Sequence, residues 1–369
     1  MSIFTDYKDI LIDYIEDKSK YNLEFPLNKT GSILNNYTRG DFIVVGGRKT
    51  SGKSSFMLHN YVISPIIQKI KKVKTEKDFN FKITYINARK SDRNTIEKMV
   101  VNYIAQKTNN NKLSVASFYS HRGATVKLAT NIAAKAMSDT INIFEVFLQK
   151  GFLTVKSKRQ TMYQVERTII NSMKDLGTFE NEDTFEFTYF EDKRDVTPIV
   201  VIDDASSIIG ENGRSILRMD SASTAASTLR HIAKALDIVI VLGVPSMTMG
   251  YKNFSKQGFY KSAVTEIDPY GIYADRVILL HNPVETDDVK VFDYDINHFI
   301  NNRTGVCYFR MAYIGGNYMG PTGVTIPYLF LPENGSFREL PSADDLDKLD
   351  DIFDIIEDVK HENKKENNE

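Results

Sequence analysis

Apolar residues recur along this chain in two rhythms. Continuous runs at Phe42-Ile43-Val44-Val45, at Ile199-Val200-Val201-Ile202 and at 238–243 have the length and β-branched content of buried strands, and Lys82 to Ile86 is expected to be a further strand. Between them, apolar positions at helical spacing predict helices from about residue 53 and at about 91–106, 124–149, 161–175 and 221–236. This alternation predicts an α/β fold with a mostly parallel central sheet flanked by helices. A short strand is expected at 152–155, and 276–280, 289–295 and 306–312 are expected to finish the sheet in antiparallel pairs. Residues 19–40 are polar and turn-rich and predict a lead-in loop, while 179–195 are charged and Phe-rich. At the start, Phe4, Tyr7, Ile10, Leu11, Tyr14 and Ile15 mark one amphipathic helix within residues 1–21.

Chemistry enters where the first strand ends. Gly47-Arg48-Lys49-Thr50-Ser51-Gly52-Lys53-Ser54 fits the pattern G-x-x-x-x-G-K-[ST], between a strand and a helix. Glycines allow the tight turn, exposed amides face phosphate oxygens, Lys53 reaches the β- and γ-phosphates and Ser54 ligates Mg²⁺. The loop residues and the following Ser55 are therefore the candidate ATP-binding set. The acidic partner on the metal side belongs at the end of a buried strand, where Asp203 follows Ile202. Its neighbour Asp204 gives a second carboxylate that could deprotonate an attacking water.

In order and spacing, residues 22–333 resemble the hexameric DnaB-type replicative helicases within the RecA-like P-loop ATPases. The likeness runs through Thr38-Arg39-Gly40-Asp41, the phosphate loop, Ile83-Thr84-Tyr85-Ile86, the strand ending at Asp203, the helix at 221–236, Tyr273-Ala274-Asp275-Arg276 and Asn302-Arg303-Thr304-Gly305. It implies a RecA-like ATPase domain over 22–340, Mg²⁺-dependent ATP hydrolysis and assembly into a ring, with Arg303 reaching a neighbouring subunit's γ-phosphate. Two positions depart from the family. The residue matching its catalytic Glu is Arg89, a cation that cannot act as base, and Pro245 stands where a γ-phosphate-sensing Gln is usual. Either Asp204 serves as base, with Asp92 as another candidate, or hydrolysis is slow or absent.

By the same resemblance, loops at about 207–220 and 245–264 face the channel of a ring. The second interleaves lysines and aromatics, Tyr251, Lys252, Phe254, Lys256 and Lys261 among them, a composition suited to phosphates and stacked bases of single-stranded DNA. Arg214 and Arg218 in the first loop add phosphate contacts. The competing expectations are an ATP-fuelled helicase, a RecA-like nucleotide- and DNA-binding assembly or loading factor with weak hydrolysis, and a recombinase filament. With no room for the family's large N-terminal domain, a primase, loader or single-strand-binding protein would be a separate partner.

Charge sharpens this picture. The 369 residues carry 47 Lys+Arg and 48 Asp+Glu, a net charge of −1. Residues 341–369 hold 11 acidic residues against 4 lysines, a net of −7, which leaves 43 basic and 37 acidic residues, +6, for 1–340. An acidic tail thus follows a mildly basic core, and Leu346, Leu349, Ile352, Phe353, Ile355 and Ile356 give it a short amphipathic helix. The single cysteine, Cys307, excludes an internal disulfide framework. Without a signal-like or membrane-spanning apolar stretch, a cytoplasmic protein is expected. Richness in Asn, Lys and Tyr together with the departures in the motifs points to a divergent, phage-type viral member.

Overall fold

In the computed structural model the described residues are 23–34, 36–72, 81–87, 91–108, 114, 127–209, 219–245, 269–291, 293–301, 304–318, 320–345, 348–353 and 356. Among them, nine strands make the central sheet: β1 (Phe42–Gly47), β2 (Phe81–Ile86), β3 (Leu153–Lys156), β4 (Thr197–Ile202), β5 (Val239–Pro245), β6 (Arg276–His281), β7 (Phe309–Asn317), β8 (Val324–Leu331) and β9 (Ser336–Glu339). Their order is β9-β8-β7-β6-β1-β5-β4-β2-β3. From β6 to β3 every pairing is parallel, and β7, β8 and β9 extend the β6 edge as antiparallel neighbours.

The continuous apolar runs are explained by helices on both faces. Alternate strand residues, Ile43, Val45, Ile83, Ile199, Val201 and Val241, face the helices Lys53–Leu58, Asp92–Thr108 and Lys127–Gln149 in one core. Their neighbours Phe42, Val44, Val200, Ile202, Ile240 and Leu242 face Met162–Met173 and Met219–Ala235 in a second. At the foot of the sheet, Asp275 Oδ2 accepts from Phe42 N at 3.0 Å, and buried Arg276 pairs with Asp41 at 2.8 Å. These bonds tie the starts of β1 and β6 together and leave their opposite ends to carry loops.

Several expectations change in detail. A helix, Asn28–Leu34, stands where a lead-in loop is expected; Glu339 accepts from Lys29 N at 2.9 Å and Thr30 N at 2.7 Å, so the helix start is satisfied by a carboxylate from β9. The segment at 289–295 does not join the central sheet. It forms a hairpin, Lys290–Val291 with Tyr294–Asp295, around Asp293 at φ 69°. Residues Gly177–Asn181 and Glu186–Tyr189 form another separate hairpin within the Phe-rich stretch. Leu349 and Ile356 of the acidic segment are buried beside Val291, Tyr294, Phe309 and Leu340, so the apolar face of this segment is spent on the domain itself. The amphipathic segment at 4–15 lies outside the described residues. No described helix is long and apolar enough to cross a membrane.

Candidate nucleotide site

β1 ends in the glycine-rich turn. A Cβ on Gly47 would lie 2.5 Å from Ser51 Oγ and 2.9 Å from Leu280 O, so the close passage of loop and strand requires glycine there. Gly52 adopts φ 84°, the left-handed region, and opens the helix Lys53–Leu58. Ser51 closes the turn on Arg48 O through its amide at 3.2 Å and its hydroxyl at 2.8 Å. Lys49 and Thr50 are exposed at the tip, Arg48, Ser54 and Ser55 are half-buried, and the Lys53 side chain is buried. The helix runs through a π turn, His59–Ile63, into Ser64–Lys72.

The sheet register brings the acidic strand to this loop. Ile86 pairs with Ile202, and Asp203 N donates to Ile86 O at 2.8 Å, so the ends of β2 and β4 are held level. Asp203 Oδ1 accepts from Ser54 Oγ at 2.8 Å; Oδ2 accepts from Tyr85 Oη at 2.6 Å and Asn87 Nδ2 at 2.9 Å. Burial first, then the Asp203 charge, hold the Tyr85 hydroxyl far above its ordinary pKa, which keeps it a donor. Asp204 sits at φ 97° and ψ 115°, a backbone region that side-chain-bearing residues rarely occupy. Its Oδ1 accepts from Ser206 N at 2.9 Å and its Oδ2 is 3.8 Å from Lys53 Nζ.

The hydroxyl of Ser54 and a carboxylate oxygen of Asp203, already in contact, are hard oxygen donors of the kind Mg²⁺ takes, and the buried ammonium of Lys53 stands beside them. The residues therefore fit a magnesium-bound triphosphate. Among the described residues there is no cluster of three His, Cys, Asp or Glu to suit a metal held by protein alone. A small cleft continues from Ser54 and Asn87 to Thr95 and Lys98.

A second group braces the loop from the β6 side. Arg310 on β7, buried, donates to Thr50 O at 3.1 Å, Asn282 Oδ1 at 3.2 Å and Cys307 O at 2.8 Å, with its guanidinium over the Phe330 ring at 5.0 Å. Burial pulls its pKa below the ordinary arginine value. Arg48 pairs with Glu285 at 3.5 Å. Neither Arg310 nor Glu285, nor the Tyr85–Asn87 pair, figures among the sequence candidates; an arginine inside Phe309-Arg310-Met311 is the one visible signal.

Of the remaining candidates, Pro245 is in register with Gly47 on the adjacent strand, a residue without a donor beside the loop. Asp92 is hydrogen-bonded by Ser157, beyond the edge strand β3, and takes no part in the Asp203 cluster. Arg89, Arg214, Arg218, Arg303 and the Tyr251, Lys252, Phe254, Lys256 and Lys261 loop lie outside the described residues.

This architecture, a mostly parallel sheet with the loop at the end of β1 and the acidic residue two strands away, is the RecA-like ATPase fold. It is similar to the ATPase domain of G40P, with 14% identity over 92% of this chain and 100% of that one, at a TM-score of 0.62. It is similar too to a DnaB-like replicative helicase, described with its interactions with primase: 14% identity, 92% of this chain, 68% of that one, TM-score 0.61. The chain thus has the fold of DnaB-like helicase ATPase domains. A family model for the ATP synthase regulation protein NCA2 matches residues 48–181, just over a third of the chain. That stretch begins inside the phosphate loop and stops before Asp203, so it holds half of the site. No curated protein matches the chain.

Proposed function

We propose that this protein is an ATP-hydrolysing motor of the DnaB-like helicase kind, acting on single-stranded DNA as an oligomeric ring. The observation that supports this reading is the contact of Ser54 with Asp203 beside buried Lys53, which brings together the side chains that would hold magnesium and the phosphates. Bound Mg²⁺ would offset charge on the β- and γ-phosphate oxygens. Ser54 and Asp203 would hold it, Tyr85 and Asn87 fix the Asp203 carboxylate, Lys53 binds the phosphates, and Asp204 accepts the proton of the attacking water. Arg303 from a neighbouring subunit would stabilise transition-state charge, and the loops holding Arg214, Arg218, Tyr251, Lys252, Phe254, Lys256 and Lys261 would hold the strand.

A second reading is a nucleotide- and DNA-binding assembly factor that hydrolyses poorly. Pro245 beside Gly47 favours it, because a proline cannot donate to a γ-phosphate. Strand displacement from a tailed DNA duplex separates the two. The motor releases the strand with ATP and not with a non-hydrolysable analogue, and Lys53→Ala releases none; the assembly factor binds DNA and releases none with either nucleotide.

A further inference from the structure

The acidic segment is joined to the phosphate loop through the interior. Residues 348–353 are helical, and Leu349, Ile352, Phe353 and Ile356, spaced to share one helix face, pack into the cluster that holds Phe299 and Phe309. Phe353 stands edge-on to Phe299, ring centres 5.3 Å apart and planes at 66°, and Phe299 repeats that geometry against Phe309. The main chain ties the same layer together: Tyr308 N donates to Phe299 O at 2.8 Å, and Phe330 N donates to Tyr308 O at 2.7 Å. Leu349 and Ile356 are buried and anchor the helix, whereas Phe353 is half-buried and makes the ring contact. The contact can therefore be removed with the anchor left in place.

Side chains alternate along a strand, so Phe309 and Arg310 leave β7 on opposite faces. Phe309 meets the Phe299 layer. Arg310 lies buried on the other face, where Nη1 donates to Cys307 O at 2.8 Å and Nη2 donates to Thr50 O, at the tip of the phosphate loop, at 3.1 Å. One rigid guanidinium fork thus spans from the loop to the chain that Phe299 braces. A shift at the start of β7 moves the fork off Thr50, and a hydrogen bond weakens steeply once its geometry is lost.

We propose that the acidic segment supports the nucleotide site: Phe353, through Phe299 and Phe309, holds Arg310 where it braces Thr50, and so sets the affinity of the phosphate loop for magnesium–ATP. Phe353 is a positioning residue in this scheme, which rests on the reading of that loop as an ATP site.

The test is equilibrium titration of the full chain with magnesium–ATP, as wild type, Phe353→Ala, Phe353→Leu, Arg310→Met and the double variant Phe353→Ala/Arg310→Met. Phe353→Ala is expected to bind about three- to tenfold more weakly than wild type, the span of one lost aromatic pair. Phe353→Leu keeps part of the contact and is expected to lose less; it replaces the alanine variant, alone and combined with Arg310→Met, if alanine does not fold. In the double variant the loss from Phe353 is expected to vanish, because Arg310→Met has already removed the bond through which it acts, whereas a general loosening of the domain adds to the Arg310 loss. Wild-type affinity in both Phe353 variants overturns the proposal, as do losses that add in the double variant, and each leaves the ATP site standing. A wild type that binds no magnesium–ATP overturns the ATP site and the proposal together.

Discussion

Ser54 Oγ donates to Asp203 Oδ1 across 2.8 Å, though 149 positions separate the two residues in the chain. The bond exists because β1 and β4 are held two strands apart by β5, so a helix opening at the end of β1 meets the residue that follows β4. Asp203 also accepts from Tyr85 and Asn87, at the end of β2. The carboxylate is thus aimed before any ligand arrives, and preorganisation of this kind is what electrostatic catalysis requires.

Removing one of those donors has a defined cost. Asn87→Ala takes a buried hydrogen bond from a charged oxygen and is expected to lower unfolding free energy by about 1.5–3 kcal/mol. Mg²⁺-dependent ATP affinity is expected to fall with it, as measured by denaturant titration and nucleotide binding on the same variant.

The strained backbone at Asp204 separates stability from function. Asp204→Gly and Asp204→Ala both lose the carboxylate, but only glycine adopts φ 97° freely. The glycine variant is expected to be the more stable of the two by about 1–3 kcal/mol. Both are expected to lack turnover, since neither carries a base. Thermal unfolding compared with phosphate release reads both outcomes.

Arg310 acts on the phosphate loop from outside it. Arg310→Met keeps an unbranched side chain in the buried position and loses both the bond to Thr50 O and the guanidinium over Phe330. The expected result is weaker ATP binding, by about tenfold. The dissociation constant for magnesium–ATP, measured by titration, checks it.

His59, in the π turn behind the loop, sets a pH dependence. Burial, and then the charge of Arg338, push its imidazole pKa down to about 3 from the ordinary 6.5. Above pH 6.5 both folded and unfolded chains carry it neutral, and it contributes no slope. As the pH falls from about 6.5 toward 3 the unfolded chain takes up a proton that the folded one refuses, so stability is lost with acidification over that window. Urea midpoints between pH 7 and 5 are expected to fall in wild type and to fall less in His59→Asn.

Much of this was legible in the chain. The runs at 42–45 and 199–202 are strands because a sheet covered on both faces admits little but apolar residues, and the loop at 47–54 is readable because phosphate chemistry dictates its glycines, lysine and serine. The helix Asn28–Leu34 was not, because its start is satisfied by Glu339, some 310 positions away. Tyr85 and Asn87 acquire their role only through the register of Ile86 with Ile202, which no local pattern encodes. Pro327 lies inside β8 and Gly335 just before β9, turn signals that obscure the wing on which Phe330 and Phe337 cover Gly52.

ATP turnover with and without single-stranded DNA, for wild type, Lys53→Ala and Asp204→Asn, bears most directly on the motor. Wild type is expected to release phosphate, faster with DNA present, and both variants to lose that release. A wild type that binds magnesium–ATP and releases no phosphate, with or without DNA, contradicts it.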